Sequence, residues 1–168
     1  TYNTTLGSKS LKTNVDGSNN VAIGFSSMEN KKGSNNVSVG ALSLHEKNLG
    51  EDNVSIGYQS MHNTSGNNNV SIGTYSLQET KTHDNISIGH QSQKISTNAT
   101  ENLSIGSNTL LKNVIGSENI AIGMESQMEF EGESNSHNTT VGHKTLHQNK
   151  AGKFNTSLGH QTLHKLVS

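Results

Sequence analysis

The chain has 168 residues, of which 28% are hydrophobic and 4% aromatic, and it carries a formal net charge of -1 with no Cys and no Pro. So few apolar side chains exclude a large packed interior, and the balance of charges argues against a disordered chain, which usually carries an excess of one sign. Disulfides and thiolate metal sites are excluded. A chain with no basic face and no long apolar stretch also predicts neither nucleic-acid binding nor direct membrane insertion.

A five-residue motif of Asn, an apolar residue or Thr, a small residue, an aliphatic residue and Gly recurs along the whole chain. In chain order its copies are NTTLG, NVAIG, NVSVG, NVSIG, NVSIG, NISIG, NLSIG, NIAIG, NTTVG and NTSLG, and they end at Gly7, Gly24, Gly40, Gly57, Gly73, Gly89, Gly106, Gly123, Gly142 and Gly159. Successive copies lie 16 or 17 residues apart, with one interval of 19. So short a repeat has no room for two helices, and the three residues before each Gly alternate as a strand does.

The repeat therefore predicts an all-β chain with one short strand before each motif Gly. Residues 1–168 form a single repeat array, which we expect to fold as a parallel β-solenoid of about ten coils of 16–17 residues each. At roughly 4.8 Å per coil such a rod is about 48 Å long. The ends show no obvious cap, which leaves open a longer array or head-to-tail stacking of rods.

Equivalent positions of successive repeats form columns, and three of these carry structural expectations. The first residue of the motif is Asn in every copy, which predicts a ladder of stacked amides; its members include Asn20, Asn36, Asn53, Asn69, Asn85, Asn102 and Asn119. The residues one and three before the Gly are mostly aliphatic, and we expect them to point inward. The residue between them is always Ala, Ser or Thr, which suggests close approach by another subunit.

The copies NVAIG, NVSIG and NIAIG resemble the head repeats of trimeric autotransporter adhesins. The longer forms GSNNVAIGFSSM and GNNNVSIGTYSL are similar to tail-fibre-like and surface-protein repeats. The resemblance implies a left-handed parallel β-roll, of which three copies pack side by side around a threefold axis. It also implies a rigid extracellular fibre on a cell or virion surface that contacts a host glycan or protein.

No catalytic motif of a common enzyme class occurs in the sequence, so we expect a non-enzymatic adhesin head or receptor-binding fibre shaft. A structural spacer or filament subunit is the first alternative. A tailspike-like polysaccharide depolymerase is the second, because paired carboxylates cleave glycosides. Its basis is the acidic turn of the longest repeat, which is also the candidate ligand-facing turn: Glu125, Glu129, Phe130, Glu131 and Glu133.

Histidine is frequent in the chain, with nine residues, and several of them share columns. His143 and His160 occupy one column, while His147 and His164 occupy another, which His45 and His62 also occupy upstream. Rings of neutral imidazoles around a threefold axis bind transition metals. The predicted metal site is therefore formed by His143, His147, His160 and His164. The alternative is that they are ordinary surface histidines. No other cofactor is expected.

Overall fold

A computed structural model describes residues 2–30, 32–46, 50–129, 135–149 and 152–166. In these ranges the chain forms fifteen short strands and no helix. The strands are β1 (Thr4–Leu6), β2 (Val21–Ile23), β3 (Val37–Val39), β4 (Val54–Ile56), β5 (Asn63–Thr64), β6 (Val70–Ile72), β7 (Glu79–Thr80), β8 (Ile86–Ile88), β9 (Ile95–Ser96), β10 (Leu103–Ile105), β11 (Ile120–Ile122), β12 (Thr139–Val141), β13 (Gln148–Asn149), β14 (Thr156–Leu158) and β15 (Lys165–Leu166).

The three-residue strands, one before each motif Gly, pair in parallel to form a single ten-stranded sheet. Its order is β1-β2-β3-β4-β6-β8-β10-β11-β12-β14. Equivalent residues of neighbouring repeats lie directly opposite each other, as Val54 does with Val70. The two-residue strands form two smaller parallel sheets, β5-β7-β9 and β13-β15. This arrangement confirms the parallel β-solenoid.

The motif glycines stack from coil to coil with almost no space between them. Gly24 has a φ of 129°, and a Cβ added to it would lie 2.6 Å from the carbonyl oxygen of Gly40. Only Gly tolerates both this backbone conformation and this approach. The repeated Gly therefore sets the corner at which the strand ends.

The remaining corners use left-handed backbone at residues other than Gly. Positive φ recurs five residues before, two after and four after the motif Gly, as in Asn19, Ser26 and Met28. Each such residue costs about 1 kcal/mol or more. Backbone hydrogen bonds between coils offset this cost, for example from Met28 N to Ser43 O at 2.9 Å.

The apolar interior is a narrow column of the residues four after the motif Gly. Met28, Leu44, Met61 and Leu77 pack against one another in the first half of the rod. Gln93 and Gln127 occupy the same column and are fully buried, so two amides interrupt the apolar stack.

The prediction that the aliphatic residues of the long sheet point inward is wrong. Ile72 is 37% exposed and Ile86 is 42% exposed, whereas the intervening small residues Ser71 and Ser87 are fully buried. The small residues face the interior because they lie within hydrogen-bond distance of the hydroxyls three residues after the motif Gly, as Ser71 Oγ does with Ser60 Oγ at 2.8 Å. No residue larger than Thr occupies this column. The small-residue column is therefore not available to another subunit. No helix in the described ranges has the length and apolar character needed to cross a membrane.

Candidate functional site

The Asn column forms a continuous ladder of hydrogen bonds inside one corner of the solenoid. Asn36 donates from its backbone N and from Nδ2 to Oδ1 of Asn20, at 2.9 and 3.2 Å. The Asn20 Nδ2 group donates to the carbonyl of Gly33 at 2.9 Å. The same pattern recurs through Asn53, Asn69, Asn85, Asn102, Asn119, Asn138 and Asn155. These amides hold one coil to the next, and the ladder residues from Asn20 to Asn138 are buried.

Paired hydroxyls fill the interior behind the long sheet. In most coils the Ser or Thr three residues after the motif Gly meets the small residue of the following strand, as Ser60 Oγ meets Ser71 Oγ at 2.8 Å. Ser71 Oγ in turn donates to the carbonyl of Ser76 at 3.0 Å. Each buried hydroxyl thus has a partner, which removes the cost of its desolvation. This pairing explains both small-residue columns of the repeat.

The opposite side of the same strands presents the outer aliphatic face. We give this name to the strand residues one and three before the motif Gly: Val21, Ile23, Val37, Val39, Val54, Ile56, Val70, Ile72, Ile86, Ile88, Leu103, Ile105, Ile120 and Ile122, with Thr4, Leu6, Thr139, Val141, Thr156 and Leu158 at the two ends. All of them are half-buried or exposed. The face carries no charge and runs along the whole described rod. Such a continuous apolar surface marks an interaction site.

A cluster of aromatic side chains lies on the turn that follows the outer aliphatic face. The rings of Tyr58 and Tyr75 meet edge to face with centroids 5.6 Å apart, and His90 lies 6.3 Å from Tyr75. Lys94 Nζ lies 5.4 Å from the centroid of the Tyr75 ring. These residues are half-buried or exposed, so the cluster offers aromatic faces and a cation at the surface.

The four C-terminal histidines lie in two separate stacks. The rings of His143 and His160 stack with centroids 5.1 Å apart, and those of His147 and His164 stack at 5.0 Å. His147 Nε2 also lies 3.4 Å from a carboxylate oxygen of Glu125. Within the described ranges these four do not form a group of three or more possible ligands around one point. Metal binding by them stays a prediction.

The acidic turn is described only in part, because Phe130, Glu131 and Glu133 lie outside the described residues. Glu125 Oε2 lies 3.5 Å from Lys144 Nζ and contacts His147 as given above. Glu129 Oε2 accepts a hydrogen bond from Gln148 Nε2 at 3.0 Å. Both described carboxylates are therefore engaged with the neighbouring coil.

Sequence reasoning did not select the group formed by Glu29, His45, Glu46 and His62, which we call the upstream histidine site. One ligand atom each from His45, Glu46 and His62 lies within 4.8 Å of the other two. The rings of His45 and His62 stack with centroids 5.1 Å apart. Glu29 Oε2 lies 3.4 Å from His45 Nε2. The histidine column was visible in the sequence, and Glu46 lies in the adjacent column, whose residue type varies from coil to coil.

Two pKa values are shifted at this site. A hydrogen bond from Ser26 lowers the pKa of Glu29, with Lys12 and His45 acting in the same direction and burial against it. Burial lowers the pKa of His62, and the neighbouring His45 adds to that effect. Glu29 is accordingly held as a carboxylate, and the neutral imidazole of His62 is favoured.

Comparison of the chain with models of known protein families, with curated proteins and with solved structures finds no match.

Proposed function

We propose that the chain is a non-enzymatic module of an extracellular fibre, in which three copies pack side by side through the outer aliphatic face. All ten motif copies would then form coils of one rod. In this proposal the rod serves as an adhesin head or receptor-binding fibre shaft on a cell or virion surface. Its partners are other copies of itself and a glycan or protein on a host surface.

The observation that carries the proposal is the exposure of the outer aliphatic face. Leu, Ile and Val side chains such as Ile56 and Ile120 are 38% and 39% exposed along an uncharged sheet. Covering the exposed part of each is worth about 1 kcal/mol, and the same gain repeats from coil to coil. A face of this length favours a permanent partner over a transient ligand.

A second copy of the same chain fits this face well. Its strands have the same spacing, so the side chains of one column interdigitate with the same column of a neighbouring rod at every coil. The threefold arrangement is supported by the resemblance of the repeat to trimeric adhesin heads. Because that assembly covers one side of each rod, the turns that carry Tyr58, Tyr75 and Lys94 stay open to solvent.

The aromatic cluster supports recognition over a purely structural role. Aromatic rings with a neighbouring cation and hydroxyls contact sugars and protein side chains alike. A spacer or filament subunit, the alternative, has no need of three neighbouring aromatic rings on its surface.

Binding of the purified chain to glycan arrays and to cultured cells tests this function. We expect saturable binding that Tyr58→Ala with Tyr75→Ala reduces at least tenfold. Phe154→Ala is the matched control, because Phe154 is also an exposed aromatic residue, at 74%. If the unmodified chain binds no surface, the spacer role replaces the recognition role. Equal losses in the variant and the control contradict the assignment to the aromatic cluster.

A further inference from the structure

Two neighbouring coils bring together nitrogen and oxygen ligands in an arrangement that the repeat does not produce elsewhere among the described residues. His45 and His62 occupy the same column of successive coils, and Glu46 follows His45 directly. The backbone N of Glu46 donates to the carbonyl of His62 at 2.9 Å. This bond fixes the two coils relative to each other at the point where the three side chains leave the backbone.

The ring of His45 is oriented with one nitrogen free. Its Nε2 atom lies 3.4 Å from Glu29 Oε2. Its Nδ1 atom is buried, has no hydrogen-bond partner and lies 3.7 Å from Glu46 Oε1. A carboxylate beside one ring nitrogen typically orients a metal-ligating histidine and leaves the other nitrogen to the metal.

We propose that His45, Glu46 and His62 bind a zinc ion, with Glu29 orienting the His45 ring. Two imidazole nitrogens and one carboxylate oxygen are ligands that Zn²⁺ accepts, and three protein ligands leave a fourth position for water. The ligand atoms lie up to 4.8 Å apart. Zinc-ligand bonds of about 2.0–2.2 Å bring such atoms to within about 3.5 Å of one another. The lone pairs of the stacked rings lie in nearly parallel planes, so zinc binding requires the His62 ring to turn out of the stack. Rotation of the half-exposed Glu46 side chain closes the remaining difference.

The C-terminal stack of His147 and His164 is a natural comparison. It has the same ring stacking, and Gln148 N donates to the carbonyl of His164 at 3.0 Å, as Glu46 N does to that of His62. A carboxylate also lies beside His147 Nε2, from Glu125. The difference is that Gln148 stands where the upstream histidine site has Glu46. The neutral amide supplies no charge to a cation and already donates to Glu129.

Zinc bound at the upstream site would connect two coils. It binds only when the coils are stacked, so it stabilises the folded chain by mass action. The bound zinc would link the turns of two neighbouring coils through polar ligands, whereas the outer aliphatic face makes apolar contacts.

Equilibrium dialysis of the intact chain against Zn²⁺ at neutral pH, with the bound metal measured by mass spectrometry, tests the proposal. We expect one saturable zinc per chain and a higher melting temperature when zinc is present. Glu46→Gln, a substitution of equal size at a half-exposed position, should weaken binding at least tenfold. His62→Asn should do the same or more, with far-UV circular dichroism used to confirm that each variant is folded.

The control is the double variant His147→Asn with His164→Asn, which should leave one zinc per chain. Absence of saturable binding overturns the proposal. So does binding that Glu46→Gln leaves unchanged, or binding that the C-terminal double variant removes, since the metal would then belong to the C-terminal histidines.

Discussion

The two faces of the long sheet are made by the same strands. In an ordinary globular sheet the aliphatic face is buried and the polar face is exposed, whereas here the reverse holds. Ser71 points into the coil and is fully buried, while its neighbour Ile72 points outward and is 37% exposed. Along the sheet the interior side holds Ala, Ser and Thr, and the exterior side holds mostly Val, Ile and Leu. Hydrophobicity alone would assign these faces the other way.

Size and hydrogen bonding decide which face is inside. Behind the sheet, Ser60 and Ser71 approach until their hydroxyl oxygens are 2.8 Å apart. The column holds no residue larger than Thr, and the Thr140 hydroxyl lies at the same distance from Ser126 Oγ. The larger apolar residues of the interior lie at another corner, in the column of Leu44, Met61 and Leu77. The outer aliphatic face is then left for burial between chains, which is the basis of the proposed assembly.

The largest effect should come from placing the same charge on each face in turn. Ser71→Asp puts a carboxylate among buried hydroxyls and should cost more than about 4 kcal/mol of unfolding free energy, because it is desolvated without a cationic partner. Ile72→Asp puts the carboxylate on the exterior side and should leave a folded chain. Circular dichroism during urea unfolding measures both. A folded Ser71→Asp variant beside an unfolded Ile72→Asp variant would reverse the assignment of the faces.

The next effect concerns the Gly that ends each strand, where the coils stack most closely. A Cβ at Gly73 would lie 2.7 Å from the carbonyl carbon of Gly89, and the φ of Gly73 is 138°. Gly73→Ala should therefore lower the free energy of unfolding by about 2 kcal/mol or more. Thr74→Ala at the next position is the control and should cost less. Equal melting temperatures for the two variants would mean that the coils are not held by this close stacking.

A smaller effect, of the opposite sign, is expected in the interior column. Gln127 is fully buried; its Nε2 donates one hydrogen bond, to Thr140 Oγ1 at 2.9 Å, and its Oε1 atom has no hydrogen-bond partner. Leu110 and Leu146 occupy the same column in the adjacent coils. Gln127→Leu should raise the free energy of unfolding by about 1 kcal/mol because it removes an unsatisfied polar atom.

Gln93→Leu is the comparison for that substitution. Gln93 Nε2 donates to Asn85 Oδ1 at 3.1 Å and to Ser96 Oγ at 3.2 Å. Replacing Gln93 with Leu should therefore raise the free energy of unfolding by less than Gln127→Leu does, or lower it. Thermal unfolding of both variants measures the difference, and a larger gain at position 93 would contradict this account of the column.

The sequence was sufficient to predict the parallel β-solenoid, because Asn and Gly recur at fixed spacing and only stacked coils give each column a common environment. It was insufficient to orient the strands. Alternation in a segment such as Val70–Ile72 defines two faces but does not say which is inside. The evidence for orientation lay in a second column, the hydroxyls that include Ser60 and Ser76, whose partners become visible only when the coils are stacked.

The upstream histidine site was harder to predict for a different reason. His45 and His62 share a column and were recognisable as a pair. Glu46 lies in the next column, six residues after the motif Gly, where the residue type varies from coil to coil. Glu29 occupies the same column as His45 in the coil before it, so the register places the two residues side by side. The distance of 3.4 Å between Glu29 Oε2 and His45 Nε2 depends in addition on the side-chain conformations. Columns predict which residues are neighbours, whereas the distances between their ligand atoms are visible only in the folded chain.

Sedimentation equilibrium of the unmodified chain and of Ile72→Asp tests most directly whether the outer aliphatic face is the surface of assembly. The matched control is Val15→Asp, because Val15 is 73% exposed and lies outside the long sheet. We predict a mass of three chains for the unmodified protein and for Val15→Asp, and a folded single chain for Ile72→Asp. A single chain for the unmodified protein at every concentration, or a three-chain mass that Ile72→Asp leaves intact, would contradict the account.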